Sequence, residues 1–179
     1  MDETVRITRE PEYLPLIEGL TLSYHHSSTE FSGVETVEVR IDSVAAFRDD
    51  ARAKAVMTRI RMGQVRSSEF EIRRSRKEVS SGDGVLGLAR REFVLPALPG
   101  KEWIEEPDRH VIHSLDATIQ VPAGRFTRCL RINTFLAGGD GGSAIRYYAP
   151  GVGYVYEEYS GETRGSRVSL AAFQFKKPS

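Results

Sequence analysis

The four histidines of this chain are the side chains best suited to hold a metal ion or to move a proton near neutral pH. His25 and His26 are adjacent, and His110 and His113 are three residues apart. In a β-strand both spacings place the two rings on opposite faces, whereas one helical turn would bring His110 and His113 together. Because no cysteine or carboxylate completes a ligand set at a known spacing, we expect solvent-facing or core-edge histidines and no metal site. A metal-dependent enzyme that uses the histidines stays open as an alternative.

Two glycine-rich stretches match the letters of nucleotide or calcium loops. Residues 82–87 fit G-x-G-x-x-G, but a dinucleotide site also needs a buried parallel strand before the loop and a helix after it. The flanking residues alternate instead, so we interpret residues 80–84 as a tight loop that leads into a strand over residues 85–89. Residues 138–142 contain a single acidic residue, Asp140, which is too few for a calcium loop, and no Lys-Ser/Thr pair follows them as in a phosphate-binding loop. They therefore predict a hairpin tip.

Nucleophilic catalysis has little support in the sequence. Cys129 is the only cysteine, no histidine lies near it in sequence, and no G-x-S-x-G pattern occurs. We therefore expect a buried thiol without an internal disulfide, no catalytic residue, no cofactor and no enzymatic activity. A cluster of basic residues is expected to form a solvated face or to meet an anionic head group or acidic partner, and it comprises Arg59, Arg61, Arg66, Arg73, Arg74, Arg76 and Lys77.

Size and charge restrict the class of protein. The chain has 179 residues with 25 Lys+Arg and 25 Asp+Glu, so it fits one domain with a formal net charge of zero, which argues against a nucleic-acid partner. No run approaches the ~18 apolar residues of a transmembrane segment, and residues 1–6 lack the apolar part of a signal peptide. We expect a cytoplasmic protein, or a periplasmic or cell-envelope protein if an export segment has been removed.

Alternating apolar residues predict an all-β fold. Leu20, Leu22 and Tyr24 share one face of a first strand, and later segments repeat this period. Turn residues every eight to twelve positions give about ten strands, which favours a single antiparallel, strongly curved sheet or open half-barrel with little helix. We treat residues 1–179 as one β-rich domain in which residues 1–18 form a lead-in segment that docks on the sheet.

Residues 42–57 are the ambiguous part of the chain. Their alanines favour a helix that Asp42 or Ser43 could cap. The period-two pattern through Phe47, which resumes at Val56, favours two strands with a turn between them instead. We predict strands and keep the helix as the alternative.

Turns with proline and glycine organise the C-terminal half. The stretch 121–124 (Val-Pro-Ala-Gly) predicts a hairpin whose three-residue loop rejoins its partner strand through a bulge with a left-handed glycine. Pro150-Gly151 predicts a second bend, and Gly161 to Gly165 a third turn. Pro96, Pro99 and Pro107 exclude a central strand around Trp103, which we expect to close one end of the core.

Three stretches together resemble a TapB-like bacterial family of unknown function. They are residues 13–16 (Tyr-Leu-Pro-Leu) before Gly19, residues 121–126 followed by Cys129-Leu130, and residues 147–153 (Tyr-Tyr-Ala-Pro-Gly-Val-Gly). The family is similar in shape to the lipoprotein carriers LolA and LolB, whose curved antiparallel sheet surrounds an apolar cavity. The resemblance implies a cell-envelope protein that binds an apolar molecule or another protein.

The aromatic C-terminal strands suggest where such a ligand would bind. Tyr154 and Tyr156 are predicted to share one strand face, and the last strand is apolar on both faces, as expected for a strand that is covered on both sides by ordinary two-layer packing or that lines a cavity. We therefore predict non-catalytic binding of an apolar or lipid-like ligand on the concave face of the sheet. The predicted ligand-binding residues are Leu22, Tyr24, Val39, Ile60, Phe126, Leu130, Tyr148, Tyr154 and Phe173. A module that binds an envelope protein partner is the alternative.

Overall fold

The computed structural model describes residues 11–138 and 141–176 of the chain. These residues form twelve strands and no helix. The strands are β1 (Thr21–Ser28), β2 (Glu35–Phe47), β3 (Asp50–Arg61), β4 (Gln64–Arg74), β5 (Glu78–Ser81), β6 (Arg90–Val94), β7 (Glu102–Glu105), β8 (Asp108–Val121), β9 (Gly124–Leu136), β10 (Gly142–Ala149), β11 (Gly153–Ser160) and β12 (Gly165–Gln174). In the described part of the chain no helix is long and apolar enough to cross a membrane.

All twelve described strands belong to one antiparallel sheet, in the order β6-β5-β4-β3-β2-β1-β12-β11-β10-β9-β8-β7. Every consecutive pair of strands is therefore adjacent except β6 and β7, which form the two edges, while β1 and β12 pair at the centre. This confirms the predicted single curved antiparallel sheet. The sheet has twelve strands rather than about ten, because β5, β6 and β7 are too short to give a clear alternating pattern.

Side chains rather than a strand ladder join the two edges. The backbone N–H of Arg91 on β6 donates to the carboxylate of Glu105 on β7 at 2.5 Å. Arg146 on β10 reaches across and donates to the backbone carbonyls of Arg91, at 3.1 Å, and Glu92, at 2.7 Å. The sheet thereby closes almost completely into a barrel, and backbone groups of edge strand β6 find partners without a neighbouring strand.

The ambiguous region, residues 42–57, is extended, as predicted. It contributes to β2 and β3, which are joined by a turn at Arg48 and Asp49. Ala51, Ala53 and Ala55 of β3 point into the barrel and are buried. Ala53 and Ala55 belong to the hydrophobic core, where small side chains leave room for their larger neighbours.

The segment between β5 and β6 differs from the prediction. Residues 85–89 are not a strand but the second half of a loop over residues 82–89, and the strand begins at Arg90. Gly87 has a φ of +75°, a left-handed conformation that interrupts extended structure, and Val85 turns into the core and is 5% exposed. The proline-rich region that follows lies between the two edge strands, which agrees with the exclusion of a central strand there.

The predicted turns are present, with one difference in length. The β8–β9 hairpin has a two-residue loop, Pro122 and Ala123, because Val121 pairs directly with Gly124. The predicted three-residue loop was therefore wrong, and Gly124 has a φ of +140°, outside the left-handed helical region. The bend at Gly151 and the turn before Gly165 are confirmed. Residues 139 and 140 of the β9–β10 tip lie outside the described residues.

The described part of the lead-in segment, residues 11–18, docks on one end of the barrel as predicted. Tyr13 is buried and packs edge-to-face against Phe93, with ring centroids 6.3 Å apart. The N–H of Gly151 donates to the carbonyl of Glu12 at 2.8 Å, which ties the segment to the β10–β11 turn. These contacts place the segment over the end of the barrel opposite the 82–89 loop. Residues 1–10 lie outside the described residues.

Candidate binding site

An apolar cavity of about 60 Å³ lies inside the barrel. Its walls come from β1, β2 and β11 on one side and from β4, β5 and β6 on the other. Two segments limit it at the ends: the lead-in segment with Leu14 and Pro15, and the 82–89 loop with Val85. The wall side chains are mostly apolar or aromatic, and they include Leu22, Tyr24, Val39, Ile41, Phe70, Ile72 and Tyr154.

The structure brings four of the nine predicted ligand-binding residues to this cavity: Leu22, Tyr24, Val39 and Tyr154. Leu130 and Tyr148 are fully buried in the surrounding core, and Phe126 and Phe173 are half-buried with ring centroids 6.1 Å apart. These four do not line the cavity. Ile60 lies elsewhere, because it is 43% exposed and belongs to the outer face of β3, on which residues alternate with the inward alanines.

A network of buried charges, which no sequence pattern predicted, borders the cavity. Arg90 on β6 forms ion pairs with Glu157 on β11, at 2.8 Å, and with Glu92, at 3.3 Å. Glu92 also accepts hydrogen bonds from the hydroxyls of Ser81 and Tyr148. Each carboxylate thus has several donors, which compensates for the loss of water around it.

The electrostatics keep this network charged and its tyrosines neutral. Burial raises the pKa of Glu92, but the nearby guanidinium groups of Arg90 and Arg146 more than offset this, so the pKa lies below its usual value. Burial raises the pKa of Tyr148 and Tyr154 well above the ordinary value, so both stay hydrogen-bond donors. Tyr154 donates to Glu157 at 2.9 Å. These hydrogen bonds and ion pairs orient the side chains that border the cavity.

Two of the four histidines are buried and two are exposed, and the opposite-face predictions for both pairs are confirmed. His26 lies 3.0 Å from Glu35, whereas His25 is exposed. His110 lies 2.8 Å from the hydroxyl of Thr134 and stacks on Trp103, which is buried beside it, whereas His113 is exposed. Burial and the charges of Arg146 and Arg90 lower the pKa of His110 to about 4. Over residues 11–138 and 141–176, no three histidine, cysteine or acidic side chains group as metal ligands.

A wider recess of about 440 Å³ opens at the end of the barrel near the 82–89 loop. We call it the end recess. Its floor contains Arg90, His110, Arg146 and Glu157, and its rim includes the apolar Leu86, Leu88 and Leu136 and the acidic residues Glu105, Glu106 and Asp108. Arg90 lines both the cavity and the end recess, so its side chain separates the two spaces.

The remaining predicted features have structural explanations. Burial raises the pKa of the Cys129 thiol to about 11, so the thiolate is disfavoured at neutral pH. The basic cluster is partly paired with acids, as Arg73 contacts Glu71 and Arg74 contacts Glu12. Arg59 points inward rather than to solvent. The G-x-G-x-x-G stretch lies in the 82–89 loop and precedes strand β6 instead of a helix, so it lacks the dinucleotide context.

Two solved bacterial structures have a similar fold. A proposed exported protein with a YmcC-like fold from Bacteroides fragilis matches with a TM-score of 0.70 and 16% sequence identity, over 90% of this chain and 98% of its own. A proposed lipoprotein from Parabacteroides distasonis matches with a TM-score of 0.68 and 12% identity, over 93% of this chain and 100% of its own. At these identities the likeness shows the fold alone.

No protein-family model and no curated protein matches the chain. The resemblance to the TapB-like family therefore stays a prediction, although the curved antiparallel sheet that it implies is confirmed.

Proposed function

We propose that this chain is a non-catalytic binding protein of the bacterial cell envelope, whose barrel takes up the apolar part of a lipid-like ligand. The observation that carries the proposal is the apolar cavity between the two walls of the barrel. The charged groups beside the cavity form ion pairs with each other, so they are not available to bind a polar ligand there. The cavity therefore favours an apolar ligand. The names of the two structural neighbours, an exported protein and a lipoprotein, support the envelope location.

The size of the cavity limits what can bind without rearrangement. A dry apolar cavity that admits benzene has a volume of about 150 Å³, whereas this cavity measures about 60 Å³. A longer acyl chain therefore requires one of the two end segments to move. The 82–89 loop is the better candidate because it carries Val85 at the cavity wall and three glycines, Gly82, Gly84 and Gly87.

The end recess would hold the polar part of such a ligand. It adjoins the cavity at Arg90, and its volume of about 440 Å³ falls in the usual range for small-molecule sites. In this arrangement the apolar tail enters beneath the 82–89 loop while the head group stays among the polar side chains at the end of the barrel. The ligand is thus expected to be amphipathic.

A fluorescent fatty acid with a dansyl group tests the proposal. We expect the purified protein to increase its emission, and we expect Val85→Phe, which fills the cavity, to weaken binding about tenfold, equivalent to ~1.4 kcal/mol. Val34→Phe is the matched control, because it is the same substitution at a valine that is 57% exposed and lines neither the cavity nor the end recess. The proposal fails if the probe does not bind and native mass spectrometry of protein incubated with a bacterial lipid extract detects no bound lipid. Fractionation of the native bacterium tests the location, and a cytoplasmic pool alone would contradict it.

A further inference from the structure

One edge of strand β4 lacks a neighbouring strand along most of its length. β5 pairs with β4 only at Ile72, Arg73 and Arg74. The N–H of Gly82 then donates to the carbonyl of Glu71 at 2.8 Å, after which the chain leaves the sheet in the 82–89 loop. In the described part of the chain, residues 64–70 therefore pair with β3 on one side and with no strand on the other.

The backbone groups on this free edge can be assigned from the β3–β4 turn. Met62 and Gly63 form a two-residue loop with φ of +49° and +76°, and Arg61 pairs with Gln64. In such a hairpin alternate residues direct their N–H and C=O groups away from the partner strand. The carbonyl of Glu71 points toward the free edge, because it accepts the hydrogen bond from Gly82. By alternation, the backbone N–H and C=O groups of Val65, Ser67 and Glu69 also point toward this edge.

The side chains along the edge give it a specific chemical character. Arg66 lies opposite Arg59 on the inner face of the hairpin. Arg59 forms an ion pair with Glu35, whereas Arg66 has no ion pair with any of the described residues. On the outer face, Val65 is 63% exposed beside Ile60. The edge thus offers a guanidinium that has no ion pair within residues 11–138 and 141–176 on one face, and an exposed valine on the other.

We infer that the β4 edge binds an extended peptide segment of a partner protein by strand addition. Main-chain hydrogen bonds to Val65, Ser67 and Glu69 hold the segment, an acidic side chain lies beside Arg66 on one face, and an apolar side chain lies beside Val65 on the other face. The other two sheet edges do not offer such a surface, because β6 and β7 face each other across the side-chain contacts of Arg146 and Glu105. This inference is independent of the lipid-like ligand, whose cavity lies inside the barrel.

A phage-displayed library of random nine-residue peptides, selected against the whole protein, tests the inference. The expected consensus contains Asp or Glu, opposite Arg66, with an apolar residue at a neighbouring position, opposite Val65. Ser67→Pro removes one outward N–H without removing a bond to β3, and it is expected to weaken the selected peptides about tenfold, as for loss of one or two hydrogen bonds. Ser67→Ala is the matched control and is expected to bind like the wild type.

Charge reversal provides a second readout that does not depend on proline. Arg66→Glu is expected to lose the acidic peptides and, when the selection is repeated, to enrich peptides with Lys or Arg. Addition of a selected peptide to the wild type is also expected to slow amide hydrogen exchange at Val65, Ser67 and Glu69. The inference is overturned if no peptide is enriched, or if the enriched peptides bind the Ser67→Pro and Arg66→Glu variants as tightly as the wild type.

Discussion

Arg59 on β3 and Val85 in the 82–89 loop are joined by a hydrogen bond of 2.8 Å from the Arg59 guanidinium to the Val85 carbonyl oxygen. The same guanidinium donates to the carbonyl of Gly84 at 2.8 Å and forms an ion pair of 2.7 Å with Glu35 on β2. A single half-buried side chain thereby contacts the loop that limits both the apolar cavity and the end recess. Access to the cavity is expected to depend on this contact.

Replacement of Arg59 by methionine should loosen the loop. Arg59→Met removes both hydrogen bonds to the loop while it keeps a long side chain, so local opening of residues 82–89 becomes less costly. We expect faster amide hydrogen exchange across the loop, measured by mass spectrometry, with little change in β8 and β9. Arg66→Met is the control, because Arg66 is exposed and lies directly across the hairpin. Equal exchange in both variants would show that Arg59 does not hold the loop.

The buried charges give a second prediction, which concerns stability. Glu92→Gln keeps the side-chain size but removes a negative charge next to Arg90 and Arg146, which are both largely buried. Because a buried charge without its partner is costly, we expect the free energy of unfolding to fall by about 3 kcal/mol. Urea denaturation at neutral pH measures this change. Glu102→Gln, at an exposed pair with Arg109, should have little effect, and similar losses in both variants would contradict the assigned role of the network.

How far the sequence predicts the fold depends on the regularity of each strand. The period-two pattern correctly predicted strands in residues 42–57, where alanine content favoured a helix, because burial against the barrel wall outweighs intrinsic propensity. It did not predict the β-bulge in β11. Tyr147 pairs with Tyr156 but Tyr148 pairs with Tyr154, so an extra residue in β11 puts Tyr154 inside and Tyr156 outside, contrary to the prediction.

The candidate site was harder to predict than the fold for a related reason. The alternation of Val56, Thr58 and Ile60 suggested an inward position for Ile60, but the inward positions of β3 belong to the other alternate residues, which include the three alanines, Met57 and Arg59. The buried network was missed because Arg90 and Glu157 are 67 residues apart, and each alone resembles a charge on a solvated face. Their pairing follows from closure of the sheet, which brings β6 next to the interior of β11.

A third prediction concerns the stability of the protein at acidic pH. The ordinary pKa of histidine is 6.5, but that of His110 is lowered to about 4 in the folded protein. Between these values the unfolded chain binds a proton that the folded protein does not, so stability falls as the pH falls from 6.5 to 4. We expect a loss on the order of 1–2 kcal/mol from this group, allowing for solvent screening.

His110→Asn provides the comparison for the acid prediction, since its amide can keep the contact with Thr134. The variant should lose less stability over this pH range, as measured by urea denaturation at several pH values. Glu92, whose pKa is lowered, acts in the same direction, but only as the pH falls below its ordinary value of 4.5. Identical pH profiles for the wild type and His110→Asn above pH 4.5 would rule out His110 as the cause.

The last prediction concerns the tip of the β3–β4 hairpin, where Met62 is 86% exposed and has a φ of +49°. This left-handed conformation is unfavourable for methionine but is common for asparagine in the first position of a two-residue hairpin loop followed by glycine. Met62→Asn should therefore raise the free energy of unfolding by about 0.5–1 kcal/mol, because no packing is lost at an exposed site. Met62→Ala is the control, since alanine removes the same side chain without relieving the backbone strain. A gain of equal size in both variants would attribute the effect to the removal of methionine rather than to the turn.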